Sequence, residues 1–150
     1  MSDDADFRTR NDISAGANTY RCTTVLQYWL ADGRYFPTEV DLQYNSDDPF
    51  AVKCHFDAGT PAEVVWMFSR ELLADGLFAP TGEGDVKVRP CPGDPLSVEI
   101  ILWAPTGHTR YTADAADLTT FLFRTYEIVQ PEDEVSYVDF DLELSRLEPR

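Results

Sequence analysis

Apolar and polar residues alternate along much of the chain after residue 20, a pattern typical of β-strands with one buried face. Two such runs flank the tetrapeptide Ala-Asp-Gly-Arg at residues 31–34, and Asp-Gly between apolar runs predicts a hairpin. In the second run, the apolar face carries Val40, Leu42 and Tyr44. Residues 51–57 alternate in the same way and predict another half-buried strand.

The segment at residues 63–68 is apolar on both faces. Its side chains alternate between Val64, Trp66 and Phe68 on one face and Val65 and Met67 on the other. Because strands covered on both sides have this continuous apolar pattern, we expect a central strand here. Ser69 is a suitable N-cap for a short helix over residues 70–75, and Gly76 fits the left-handed position that commonly ends a helix.

The loop after this helix is rich in glycine and leads into a predicted strand at residues 85–89. A phosphate-binding loop has the opposite order, strand then glycines then helix, and the acidic residues Glu83 and Asp85 would repel an anion. We therefore predict a structural turn, in which Gly82 and Gly84 adopt backbone conformations that side chains disfavour.

The second half of the chain predicts two further strands and the longest helix. The strands are expected at residues 96–104 and around residues 110–112. Asp114 can cap the helix that follows, and Pro131 lies beyond its end. The buried stripe of this helix is predicted at Leu118, Phe121, Leu122, Thr125 and Val129.

One apolar residue of the long helix faces away from that stripe. A rotation of about 100° per residue places Phe123 among Thr119, Thr120 and Glu127. Single exposed apolar residues are common on soluble proteins, so this one needs no special explanation. The competing hypothesis is a contact with a second copy or a partner, with Phe123 at its centre and Thr119 and Glu127 on its rim.

These elements predict an α+β fold with antiparallel strands, because the links between strands are too short for crossover connections. The 150 residues are 43% hydrophobic, enough for a core without disulfides or metal. We expect a flexible acidic arm at residues 1–19 and a single domain at residues 20–150.

The composition restricts the classes of partner. The formal net charge is -15, from 27 acidic and 12 basic residues, and such a surface repels nucleic acid and anionic lipid. No apolar run approaches the roughly 20 residues of a membrane helix. The three cysteines have no metal-binding or disulfide spacing and predict reduced thiols, so we expect a cytoplasmic protein.

Candidate catalytic residues are few. His55 and Asp57 share a strand face, but a metal site needs a third ligand, and His108 lies in a turn. The sequence contains no G-x-S-x-G nucleophile motif. We predict no enzyme activity, no metal and no cofactor, although a hydrolase built on two carboxylates stays open as a minor alternative.

Arg70 is predicted to have a structural role where the apolar strand meets the short helix. Its guanidinium can fork onto a carboxylate such as Glu63, Glu71 or Asp75, or cap backbone carbonyls. Its aliphatic stem can cover Trp66 or Phe68.

Three sequence blocks resemble the SsgA-like proteins of actinomycetes. The first, a D-P-[YF]-A-V turn and strand, matches residues 48–52. The second is W-x-F-x-R-[DE]-L-L-x-x-G-L at residues 66–77, and the third is P-T-G-x-G-D-V at residues 80–86. The residues that carry these last two blocks include Trp66, Phe68, Arg70, Gly76, Pro80, Gly82, Gly84 and Asp85.

The resemblance implies a non-enzymatic regulator of sporulation-specific cell division. Such proteins help recruit or position the tubulin-like protein FtsZ at septa, so FtsZ or another septation protein is the implied partner. The resemblance also implies a homo-oligomer, with a trimer as the candidate stoichiometry, and it supplies no catalytic residues. Whirly-type relatives bind single-stranded nucleic acid, which leaves that activity as the alternative function.

The implied fold is whirly-like, with two packed antiparallel sheets of about seven strands. The last segment of the chain is ambiguous by pattern alone, because its apolar residues fit either a strand or a helix. The resemblance favours a short C-terminal helix from about Asp141.

Overall fold

Eight strands and two α-helices make up the part of the chain that the computed structural model describes, residues 9–10, 18–82 and 84–134. In chain order they are β1 (Thr9–Arg10), β2 (Thr19–Trp29), β3 (Tyr35–Asn45), β4 (Ala51–Phe56), β5 (Val64–Ser69), α1 (Arg70–Gly76), β6 (Val86–Cys91), β7 (Asp94–Ala104), β8 (Gly107–Asp114) and α2 (Ala115–Ile128), followed by a 3₁₀ helix at Pro131–Asp133. The predicted α+β class and both predicted internal helices are confirmed. The helix expected from Asp141 lies outside the described residues.

The strands form one curled antiparallel sheet rather than the two packed sheets that were expected. Its order is β5-β4-β3-β2-β8-β7-β6, and β1 pairs separately with β2. The long strand β2 explains why one sheet results. It pairs with β3 along its whole length, with β8 through residues 27–29, and with β1 through residues 21–22. The likeness to whirly proteins stays a prediction.

Strand β5 lies at the edge of the sheet, so the prediction of a central strand was wrong. Among the described residues it pairs only with β4. Trp66 and Phe68 pack against the core, whereas Val65 and Met67 on the other face are 46% and 57% exposed. An apolar pattern on both faces shows that the residues are hydrophobic, but it does not show whether other strands or helices cover both faces.

The core lies between one face of the sheet and the two helices. The predicted inward residues of β3 are buried, and so is the whole predicted stripe of α2. Both helix starts are confirmed. Ser69 Oγ accepts a hydrogen bond from the Leu72 amide at 2.8 Å, and an Asp114 carboxylate oxygen accepts one from the Ala116 amide at 2.9 Å.

Gly76 does not occupy the left-handed position predicted for it. It is the last residue of α1, and the positive-φ glycines of the described chain are other ones. Its role is close packing, because an added Cβ would lie 2.4 Å from Val88 Cγ1 on β6. Because glycine has no side chain, α1 can pack closely against β6. The residue that requires glycine at position 76 is therefore Val88, twelve positions later in the sequence.

Candidate functional site

Arg70 of the second motif block is buried although it carries a charge. It is the first residue of α1 and only 1% exposed. A buried guanidinium is tolerated only when its donors and its charge are satisfied by partners. Arg70 meets that requirement with side-chain and backbone acceptors from the end of α2 and the segment after it.

The acceptors of Arg70 come from the distant C-terminal part of the described chain. Nη1 donates to the carbonyl oxygens of Thr125 at 3.2 Å and Val129 at 2.7 Å, and so caps the C-terminal end of α2. Nε and Nη2 both donate to Glu134 Oε2, at 3.0 and 2.6 Å. Capping of backbone carbonyls and pairing with a carboxylate, the two predicted structural roles, both agree with this geometry, but the carboxylate is Glu134 and not Glu63, Glu71 or Asp75.

Two aromatic rings, of Tyr44 and Tyr126, lie against the guanidinium, while packing of the aliphatic stem on Trp66 or Phe68 stays a prediction. The Arg70 carbon Cζ lies 4.7 Å from the ring centre of Tyr44 and 5.0 Å from that of Tyr126. The Tyr44 hydroxyl donates to the carbonyl of Pro49 at 2.8 Å, and the Arg70 amide donates to the carbonyl of Phe50 at 2.6 Å. The first two motif blocks therefore meet at Arg70.

The third motif block forms a tight connection between α1 and β6. Thr81 and Val88 exchange two backbone hydrogen bonds, of 2.9 and 3.0 Å, across this loop. Gly82 has φ +115°, and an added Cβ would lie 2.4 Å from the carbonyl oxygen of Val86. At Gly84 an added Cβ would meet nothing within 4 Å. Steric crowding therefore requires glycine at position 82 but not at position 84. This geometry agrees with a structural turn.

The remaining motif residues of this region line a shallow groove. Trp66 and Phe68 of β5 form one wall, and the loop that contains Gly84 and Asp85 forms the other. The backbone carbonyl of Asp85 accepts a hydrogen bond from the Trp103 amide at 2.8 Å, which fixes the loop to β7. Pro80, just before the bridge, is exposed.

The candidate contact surface on α2 has the predicted orientation. Phe123 is 62% exposed, and its ring centre lies 6.2 Å from that of Tyr126. Thr119 is half-buried, and its hydroxyl donates to the Ala115 carbonyl at 2.8 Å. Glu127 is exposed and lies 3.5 Å from Arg124. That this surface binds a second copy stays a prediction.

The two histidines take part in side-chain contacts of their own. His55 lies 2.7 Å from Glu63 Oε2 through Nδ1 and 3.0 Å from Gln43 Oε1 through Nε2, so its partner is not Asp57. The hydrogen bond from His55 lowers the pKa of the Glu63 carboxyl. His108 stacks near Trp103, with ring centres 4.5 Å apart. Within residues 18–82 and 84–134, no group of three potential metal ligands comes together.

A second buried charge, Glu99 on β7, was not anticipated from the sequence. Its side chain is 2% exposed and is bonded by Nε of Arg89 on β6 and Nε of Arg110 on β8. Burial alone would raise the pKa of this carboxyl, but hydrogen bonds from Arg110 and Arg89 outweigh burial and lower it. Alternation along β7 places Glu99 on the face opposite Val98 and Ile100, but only the strand pairing shows that Arg89 and Arg110 lie beside it.

The thiols of Cys22 and Cys54 are buried, and Cys91 is half-buried. Burial, with smaller contributions from Asp41 and Cys22, raises the pKa of Cys54 to about 12. A thiol with such a pKa is protonated at neutral pH and is a poor nucleophile.

Neither described helix has the length and apolar character that a membrane span requires.

Residues 38–134 match the protein family described as "Streptomyces sporulation and cell division protein, SsgA". The matched region contains the Arg70 contacts, the glycine loop and α2. The chain belongs to the SsgA family.

Two relatives named sporulation-specific cell division protein SsgB support this membership. The one from Saccharopolyspora erythraea is 43% identical over 87% of this chain and 93% of its own length. The one from Thermobifida fusca is 38% identical over 89% and 97%.

Solved structures of SsgA-family members share this fold. A structure from work on SsgB mutations and longitudinal cell division in sporulating Streptomyces coelicolor superposes with a TM-score of 0.75 at 36% identity. It covers 83% of this chain and 98% of the other. An SsgA-like sporulation-specific cell division protein from Thermobifida fusca gives a TM-score of 0.77 at 37% identity, and covers 89% and 98%. The family and the role of its members in sporulation-specific cell division are thereby shown.

Proposed function

We propose that this chain is a non-enzymatic regulator of sporulation-specific cell division, an adaptor that helps recruit or position FtsZ at septa. The observation that carries the proposal is the match to relatives named for sporulation-specific cell division across almost their whole length. FtsZ or another septation protein is the proposed partner. The proposed location is the cytoplasm, at the division septum.

The division between buried motif residues and exposed apolar side chains supports an adaptor. Arg70 and Gly76 are committed to packing inside the domain. Large apolar side chains lie on the surface instead, including Met67 at 57% and Phe123 at 62% exposure. Protein contacts are commonly anchored by a large apolar or aromatic side chain with polar residues around it. Phe123, with Thr119 and Glu127, is the proposed contact in a homo-oligomer, for which a trimer is the candidate.

The nucleic-acid alternative has no support among the relatives, whose names refer to cell division. The net charge of -15 also opposes binding of a phosphate backbone. An anisotropy titration with a single-stranded oligonucleotide near physiological salt should show no binding. Micromolar, salt-sensitive binding in that titration would restore the alternative.

Localisation tests the adaptor role. A fluorescent fusion of the full chain is expressed in a sporulating host, with FtsZ present and with FtsZ depleted. We expect foci at future septa in both conditions, because a protein that recruits FtsZ must reach the site before it, whereas the unfused fluorescent protein stays diffuse in both. Foci that disappear when FtsZ is depleted would place this chain downstream of FtsZ and contradict recruitment, and a diffuse fusion in both conditions would contradict the function itself.

A further inference from the structure

The outer surface of β2, β8, β7 and β6 carries a row of side chains that the sequence does not place together. Strand pairing sets Trp29 opposite Arg110, Arg110 opposite Ile101, and Ile101 opposite Lys87. These side chains point away from the core, since the alternate residues Val88, Ile100 and Leu102 are the buried ones. We call Trp29, Lys87, Arg89, Trp103 and Arg110 the cationic face.

The buried Glu99 holds the two arginines of the cationic face in place. Both Nε atoms bond its carboxylate, yet the Arg89 and Arg110 side chains remain 45% and 38% exposed. Cζ of Arg110 also lies 5.0 Å from the ring centre of Trp29. The arginines are thus held in place while their side chains remain partly exposed, which lowers the entropy cost of binding a partner.

The cationic face differs in charge from the rest of the chain. Lys87, Arg89 and Arg110 lie with the buried Glu99, so these four side chains carry a charge of +2 on a chain whose total is -15. Lys87 is one of only two lysines in the sequence. Two carboxylates border the face. Asp85 precedes β6 and its carbonyl oxygen accepts a hydrogen bond from the Trp103 amide, and Asp114, opposite Ser97, caps α2.

Exposed aromatic rings border these cations. Trp103 is 43% exposed, and Tyr35 is 53% exposed with its ring centre 4.8 Å from that of Trp29. Arginine with tryptophan and tyrosine is the combination enriched at the centres of protein interfaces. A surface of this composition fits a segment that carries both carboxylates and apolar side chains.

We propose that the cationic face binds an acidic, apolar-containing segment of a partner protein. The proposal rests on the proposed adaptor function and names the surface and the partner chemistry for it. Charge complementarity is the argument, because three cationic side chains lie together here on a chain whose net charge is -15. A nucleic acid fits less well, because its phosphates would extend past three cations into acidic surroundings.

Photocrosslinking from the cationic face tests the proposal in sporulating cells. Tyr35 is replaced by the photoreactive p-benzoylphenylalanine in the full chain, and Phe78, 84% exposed on another surface, receives the same replacement as the control. We expect position 35 to crosslink to an acidic peptide of another protein, identified by mass spectrometry. Adding Lys87→Glu should reduce that crosslink several-fold, whereas the matched change Lys53→Glu on β4 should leave it unchanged.

The outcomes separate this proposal from the adaptor function. An acidic segment from a protein outside cell division would support the cationic face and contradict the adaptor role. The proposal is overturned by the absence of a crosslink at position 35, or by one that Lys87→Glu does not reduce. Crosslinking to nucleic acid or to a second copy of this chain would assign the face to another occupant.

Discussion

Arg70 and Glu134 lie 64 positions apart in the sequence, yet two nitrogens of the arginine donate to the same oxygen of the glutamate. This ion pair joins the start of α1 to the segment that follows α2. The same guanidinium caps the last carbonyls of α2 and lies between the rings of Tyr44 and Tyr126. One buried side chain therefore connects the edge of the sheet to both helices.

Replacing Arg70 by alanine should destabilise the domain by about 3 kcal/mol, since the change leaves Glu134 without its ion-pair partner and the end of α2 uncapped. Urea denaturation of the two proteins measures the difference. The control is Arg124→Ala, which removes an exposed pair with Glu127 and should cost less than about 0.5 kcal/mol. Equal stability of Arg70→Ala and wild type would show that the buried contacts contribute nothing net.

The glycine loop offers a matched pair of substitutions. Gly82→Val should lower the free energy of unfolding by about 2 kcal/mol or more, because φ is +115° and the new Cβ would meet the Val86 carbonyl. Gly84→Val has open space and should change it by less than about 0.5 kcal/mol. Thermal melts compare them. A Gly82 variant that melts like wild type but no longer binds its partner would make the loop a recognition element.

Glu99 should contribute a specific pH dependence. Its folded-state pKa is lowered below the ordinary value of 4.5, so its stabilisation is present above that pH and is lost as pH falls through the folded pKa. Glu99→Gln should therefore be less stable than wild type at pH 7, and the gap should narrow below about pH 4.5. Urea titrations from pH 7 to pH 4 measure the gap. A gap that stays constant across this range would contradict the ion-pair account.

Phe123→Asp should leave the domain folded and shift its mass in light scattering toward the monomer. The core does not depend on Phe123, because Leu118, Phe121 and Leu122 already fill the buried side of α2. Phe78→Asp, at an 84% exposed position, is the control and should keep the wild-type mass. Added salt should strengthen assembly by screening repulsion between acidic copies. An unchanged mass for Phe123→Asp would exclude it as an anchor.

Local chemistry in the sequence was sufficient to predict several features. Ser69 and Asp114 start their helices as expected, because an N-cap depends on a side chain and an amide two or three residues away. The stripe of α2 followed in the same way from helical spacing. The positive φ of Gly82 agrees with the expectation for a tight turn.

Features that depend on distant parts of the chain could not be predicted in the same way. Arg70 was expected to have a structural role, but its partner Glu134 comes from another part of the fold. Gly76 is needed because Val88 lies against it, a contact that no helix rule contains. The edge position of β5 and the cationic face both depend on the order of strands in the sheet. Alternation alone does not determine that order.

Septum formation after gene deletion tests the central claim most directly. The gene for this chain is removed from the organism that encodes it and then restored as wild type from a second locus, and sporulation septa are counted by membrane staining. The account predicts that septa are lost on deletion, that they return with the wild-type gene, and that vegetative growth continues throughout. Normal numbers of sporulation septa in the deletion strain would contradict it.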